Sequence, residues 1–342
     1  MSVLPGSFAA LVAIGVAALL FVPFVAGEHR RHGELRVGIA AQRFAILLYA
    51  CGLLSYVFLP FSSDTTTCFA PQWQPFAGLT DLTMLEQFAC NIALFVPLGA
   101  LAPSSLPTSV LAGSATSVAI ELTQLTGIWF AFPCAYRVFD VNDVIANTIG
   151  ALLGGLLAPL LRRLPTGASG RPAAEPRPVT AARRLLGMCC DALMLWWLGM
   201  VCDRAADIAL RLAHITPTRV WEAVALWFAP SALLLATMLI GRGSSIGQHA
   251  VALRARAPNG RPARAAVLRR WAVGIGGLAL AQGALEVLSG EPNAALGLLW
   301  CAAHAWGVTN TRDHRGITGL VAGLKMIDAR PSRRGLNAAR SM

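Results

Sequence analysis

Apolar residues run along this chain in blocks of about twenty, the length a helix needs to cross a bilayer, and the polar residues gather in the gaps between them. Blocks at roughly 8–26, 41–60, 88–103, 106–126, 142–161, 185–202, 221–240, 271–289 and 294–309 predict nine helices. Strands have no evident place in this pattern. The expected fold class is all-α: a polytopic integral membrane protein with about nine transmembrane helices in two helical bundles. The first block, Phe8 to Ala26, has no basic residues ahead of it and no small-residue cleavage site; its basic residues follow it. It therefore predicts a retained first span rather than a secretory signal.

Composition agrees with the pattern: 56% of the 342 residues are hydrophobic and only 13% are charged. The formal net charge of +11 would suit nucleic acid, but no basic, aromatic-laced soluble segment exists to carry such binding. The basic residues instead mark topology. Segments 27–43, 162–184, 241–270 and 309–342 hold 24 of the 28, leaving Arg137, Arg204, Arg211 and Arg219 in the opposite gaps. By the positive-inside rule the N-terminus is expected outside and the C-terminus in the cytoplasm of a multi-pass protein of the bacterial cell membrane.

The stretch Leu164 to Thr180, LPTGASGRPAAEPRPVT, is too rich in Pro, Gly and small residues to form a regular element. It predicts a cytoplasmic linker at 164–180 between a five-helix domain, 1–163, and a four-helix domain, 181–328. A basic tail follows at 329–342, expected to be disordered and to lie on anionic lipid.

The most polar apolar stretch is Glu121 to Leu157. It sets Glu121, Gln124, Arg137, Asp140, Asp143 and Asn147 among apolar and small residues. The pattern E-x-x-Q, then R-x-x-D-x-x-D-x-x-x-N, then a Gly-rich apolar helix, resembles the VanZ-like family. Upstream, Asn91 to Gly99, NIALFVPLG, is similar to the N-x-x-L-F-x-P-x-G signature of the same family. The resemblance covers about the first half. It implies a role at the bacterial envelope, where the family is associated with lowered sensitivity to glycopeptides of the teicoplanin type; it supplies no reaction. In the second half, Arg183-Arg184, Asp191, Gly247-Gln248 and Arg315-Gly316-Ile317 occur in an order that resembles the RDD family over about 180–330. Where that family often has a G-Q-T-P-G-K-like loop this chain has Gly247-Gln248-His249-Ala250-Val251-Ala252, and Gly319 stands where an aspartate is usual.

Glu121 and Gln124 share one helix face, and Asp140, Asp143 and Asn147 share another, so two polar faces are expected to meet at one leaflet. Arg137 would offset part of the acid and could grip a phosphate or carboxylate through its planar fork. The implied partner, besides the bilayer, is a lipid or cell-wall precursor. Against this stands an architectural reading: Asp140 as N-cap, Asp143 beside the helix dipole, Arg137 as local counter-ion, and Asn147, Glu121 and Gln124 as interhelical hydrogen-bonders. Asn91 either satisfies a carbonyl freed by Pro97 or faces the same pocket. Gly150 and Gly154 form a G-x-x-x-G packing face. Asp191 is read as a structural partner of Arg184 or as part of an ion path. Cys68 and Cys134 both fall in predicted outer loops, where a disulfide would tie the 61–87 loop over the motif region.

Cysteine and histidine spacings give no zinc motif, no Gly-rich loop cradles a phosphate, and no nucleophile–base pattern stands out. No metal, cofactor or catalytic residue is therefore expected. Two alternatives remain: a transporter or lipid-translocating protein, and a membrane enzyme acting on a lipid-linked substrate. Oligomeric state has no signature here.

Overall fold

The computed structural model describes residues 5–58, 68–102, 105–130, 133–135, 137–161 and 172–330. Residues 164–171 of the linker and the tail beyond 330 lie outside the described residues. Helix dominates. The first bundle contributes α1 (Pro5–His32), α2 (Val37–Phe58), α3 (Leu82–Leu101), α4 (Leu106–Leu125) and α5 (Val141–Leu161). Then come α6 (Ala181–Leu212), α7 (Arg219–Ile240) and the short α8 (Ile246–Ala250). After β1 (Leu253–Arg256) follow α9 (Arg264–Val273), α10 (Ile275–Ser289), α11 (Ala294–Asn310), α12 (Gly316–Ala322) and β2 (Lys325–Asp328).

Among the described residues each apolar block falls on one of these helices, the block at 271–289 being shared by α9 and α10. Among the described residues six helices are long and apolar enough to cross a membrane, and α9 with α10, bent by 49° at Gly274, makes a seventh if counted as one span. The polytopic all-α membrane class is thus what the fold shows. Outside that set are α4, diluted by serines, threonines, Glu121 and Gln124, and α11, which is 17 residues long. The expectation that strands have no place needs correction. β1 and β2 pair antiparallel, Leu253 opposite Asp328 and Ala255 opposite Met326, with the arginines of β1 turned outward.

By backbone contacts the chain forms two compact units, one of residues 1–14 with 46–167 and one of residues 15–45 with 168–342. The dividing line runs through α1 and α2. Each unit has its own packing logic.

In the first unit small residues let helices meet backbone to backbone. A Cβ on Gly150 or Gly154 would collide with the carbonyl oxygens of Ile92 and Val96 on α3. One position further round α5, Ala151 packs against Gly113 of α4 and Gly155 against Ser109. Two faces four residues apart in repeat thus seat two partners, which is how small-xxx-small stripes let helices associate where lipid removes the hydrophobic drive. Leu53, Val57 and Phe95 close the packing of α2 on α3, and the Tyr49 hydroxyl donates to the Leu94 carbonyl at 2.7 Å.

In the second unit Val22 and Val25 of α1 pack with Cys190 of α6 and with Ala250, Val251 and Leu253. α7 carries a π turn at Val224–Phe228. Its cause is Pro230, which has no N–H for the carbonyl of Leu226; that carbonyl lies instead over Gly199, where a Cβ would stand only 2.7 Å from it. Arg183, at the start of α6, is buried and donates to the carbonyls of Val251 and Ala252, each at 2.7 Å, and to Asp328 Oδ2 at 2.7 Å. Asp328 in turn accepts from the backbone N–H groups of Arg177 and Arg330. The Arg330 side chain then reaches the carbonyls of His29 and Gly33, fastening the end of α1.

Candidate functional site

The VanZ-like residues meet where the C-terminal end of α4 approaches the N-terminal end of α5. Asp140 is the residue before α5. Its Oδ1 accepts from the Asn142 N–H at 2.8 Å and its carbonyl from the Asp143 N–H at 3.1 Å, which is N-cap work. The Asp140 N–H donates to Glu121 Oε2 at 3.2 Å, so the capping residue of one helix is held by a carboxylate of the other. Glu121 is 2% exposed. Asn91 of α3 donates to Asp143 Oδ1 at 2.6 Å, placing it on the acidic cluster rather than on a carbonyl freed by Pro97. The charges of Glu121, Asp140, Asp143 and Arg137 act on one another.

Arg137 and Gln124 share an acceptor: Arg137 Nη1 donates to the Val57 carbonyl at 3.0 Å and Gln124 Nε2 to the same oxygen at 3.1 Å. Val57 lies in the last described turn of α2, and its carbonyl accepts from both side chains. Asn147, one turn below Asp143, donates to Ser117 Oγ at 2.8 Å, and a further step along α4 and α5 brings Ser114 Oγ to 3.1 Å from Thr148 Oγ1. Asn147 Oδ1 is buried and has no partner among the described residues.

A connecting segment closes over this end. Cys68 and Cys134 are disulfide-bonded with their Cα atoms 5.5 Å apart. Beyond the bridge the Gln72 N–H donates to the Phe139 carbonyl at 2.8 Å and the Gln72 carbonyl accepts from the Val141 N–H at 3.1 Å. Asn142 completes the fastening, accepting from the Phe76 N–H at 2.6 Å and donating to the Ala77 carbonyl at 3.2 Å. The segment then enters α3 through Asp81, whose carboxylate caps Thr83. That backbone hydrogen bond holds its carboxyl below the ordinary range. Trp73 and Phe76 on this segment, and Trp129 and Phe130 just past α4, are all more than half exposed. Aromatic rings at one end of a membrane bundle mark the depth of the lipid headgroups.

The bridge closes a loop of 66 residues, which on the chain-entropy account constrains the unfolded state by about 4 kcal/mol. Reduction is expected to leave the helices in place and speed proteolytic cleavage between Cys68 and Asp81 severalfold. Equal cleavage rates with and without reductant would mean that Gln72 and Asn142 hold the segment unaided.

Sequence reasoning passed over Ser117 and Asn142. Ser117 had a readable signal, since it lies four residues before Glu121 on the same helix face. Asn142 had none, because its partners are backbone atoms of a loop more than sixty residues away. Among the described residues no three His, Cys, Asp or Glu side chains are grouped closely enough to hold a metal ion.

Residues from α6, α8 and the segment before α12 also come together, within the second unit. Asp191 accepts from Ser245 Oγ at 2.5 Å and from the Gly247 N–H at 2.7 Å, so it caps α8. Gly247 needs its missing Cβ because the Gly187 carbonyl presses on it. Arg184 donates to the carbonyls of His314 and Arg315, at 3.1 and 3.3 Å.

These features define a class: a multi-pass helical membrane protein whose glycine-packed helices present a partly buried cluster of carboxylates, an arginine and amides at one end. Residues 46–162 match the family model described as VanZ/LLP1, so this part of the chain is VanZ-like. No curated protein and no solved structure matches the chain.

Proposed function

We propose that the VanZ-like unit engages a lipid headgroup or lipid-linked cell-wall precursor at the outer leaflet of a bacterial cell membrane, and so lowers sensitivity to teicoplanin-type glycopeptides. The observation that carries this is the convergence of Glu121, Asp140, Asp143 and Arg137 beneath a segment with exposed aromatic rings. Three carboxyl groups beside one guanidinium suit a ligand with amine or hydroxyl donors and an oxyanion, the mixed chemistry of a headgroup or precursor. A disulfide beside the site fits the oxidising outer side, as does the arginine-poor composition of that loop. Residues 181–328, which fall within the second unit, we read as an RDD-like partner domain.

Asp140→Asn tests the site cleanly, because asparagine caps a helix about as well as aspartate while removing the charge. In a host lacking the protein, wild type is expected to protect against teicoplanin and Asp140→Asn, at equal membrane abundance, to lose most of that protection. If wild type gives no protection, the glycopeptide reading is wrong; if both protect equally, the acidic cluster is not its site.

Translocation is the second reading, favoured by one observation. Polar residues continue down the α4–α5 interface from Glu121 through Ser117 and Asn147 to Ser114 and Thr148. Single cysteines at Ser114 and Ser117 that react with a water-borne thiol reagent would favour a path; protection of both would leave these residues as interhelical hydrogen-bonders.

A further inference from the structure

The second unit holds a half-open cavity of about 270 Å³ between α6, α9, α10 and α11, room for about nine waters or an organic group of similar bulk. Its walls are apolar over most of their extent, with Met188, Ile275, Leu278, Trp271 and Trp300 among them. Its charged lining is Arg184, Arg270 and Asp191. Arg184 is 2% exposed and Arg270 3%. These three charges act on one another, and two guanidinium groups against one carboxylate leave an excess of one positive charge.

Asp191 is in ion-pair contact with neither arginine, its two oxygens accepting from the Ser245 hydroxyl and the Gly247 N–H. The arginines are held by neutral acceptors. Arg184 uses Nε and Nη2 on carbonyls, and Arg270 uses Nη1 on the Gly243 carbonyl at 2.8 Å and Nη2 on Met326 Sδ at 3.7 Å. Among the described residues no hydrogen bond is formed by Nη1 of Arg184 or Nε of Arg270. An uncompensated charge among membrane helices is costly and calls for a counter-charge. The geometry points to a binding site for an amphipathic oxyanion, a single carboxylate or phosphate carried on an apolar chain, with its headgroup against Arg184 and Arg270 and its chain along Ile275, Leu278 and Trp300. This site is separate from the VanZ-like cluster and does not rest on the function proposed for it.

Trp271 and Trp300 provide the readout, since a bromine atom quenches nearby indole fluorescence. The full-length protein in neutral detergent is titrated with ω-bromoundecanoate, with the uncharged ω-bromoundecanol and with inorganic phosphate. Saturable quenching by the acid, merely proportional quenching by the alcohol and no displacement by phosphate are expected. Arg270→Gln should weaken the acid by about tenfold, the loss of one buried charge contact. Because Arg270 also supports Gly243, Ala305→Phe is the companion variant: it fills the cavity wall without touching a charge and should weaken binding by a similar factor. Equal behaviour of acid and alcohol would overturn the proposal, as would full affinity in Ala305→Phe. Displacement by inorganic phosphate at equal concentration would overturn the amphipathic ligand.

Discussion

Gly154→Ala should abolish recovery of folded protein from the membrane, while Gly52→Ala should be silent. Both positions are helical glycines, so the change in helix propensity is the same and favours alanine in each. They differ in what a methyl group meets. At Gly52 nothing lies within 4 Å of the added Cβ, whereas at Gly154 it would overlap the Val96 carbonyl oxygen and crowd the Ala100 N–H. A side chain can turn aside from such a clash, but a helix backbone cannot without separating α3 from α5. That separation pulls Asn91 from Asp143 and opens the neighbouring contact of Ala151 with Gly99. Overpacking in a core that can adjust costs about 1–3 kcal/mol, and the loss here should exceed that range. Fluorescence-detected size exclusion of tagged variants reads the result directly. Matching elution profiles for the two alanine variants would refute close backbone packing of α3 on α5.

The second large effect is expected at Asp328. Its carboxylate pairs with Arg183 at 2.7 Å and Arg330 at 3.5 Å, with both the Asp328 and Arg183 side chains 8% exposed. Asp328→Ala would leave one buried guanidinium facing carbonyls alone and two backbone N–H groups without acceptors. Breaking a buried pair from one side costs about 3–5 kcal/mol, most of it from the stranded charge. The end of β2, the start of α6 and the end of α1 should loosen together, since Arg183 and Arg330 link all three. Asp207→Ala is the contrast, because its partner Arg211 is 78% exposed and such pairs add little. Thermal melts of the purified variants in detergent should place Asp328→Ala well below both wild type and Asp207→Ala. Indistinguishable melts for the two alanine variants would show that Asp328 is not the tie.

Helices were the legible part of this fold, because bilayer thickness writes them as long apolar blocks that need no knowledge of partners. The strands were not legible. LRAR and KMID are four residues each, too short for alternation to register, and their pairing joins positions about seventy residues apart. Of the candidate site, the acidic residues could be read because charge among apolar residues stands out. That Asn91 would join Asp143 was one of two readings left open. That Arg137 and Gln124 would share the Val57 carbonyl was hidden, since a backbone acceptor looks the same at every residue. The helix-spacing rule also overstated Arg184 as the partner of Asp191: the nearer donors, Ser245 and Gly247, come from a loop whose return to α6 has no local signature.

The second unit is discontinuous in the chain, with residues 15–45 packing alongside residues 168–342. During synthesis the hairpin of α1 and α2 therefore leaves the ribosome well before Cys190, Val251 and Leu253, the residues on which Val22 and Val25 come to rest. At ordinary elongation rates the wait is on the order of ten seconds or more. For that interval the bilayer itself is the chaperone, covering apolar faces that no protein surface yet exists to receive. A gene split at the linker would make this dependence permanent, since the C-terminal product would lack a piece of its own core.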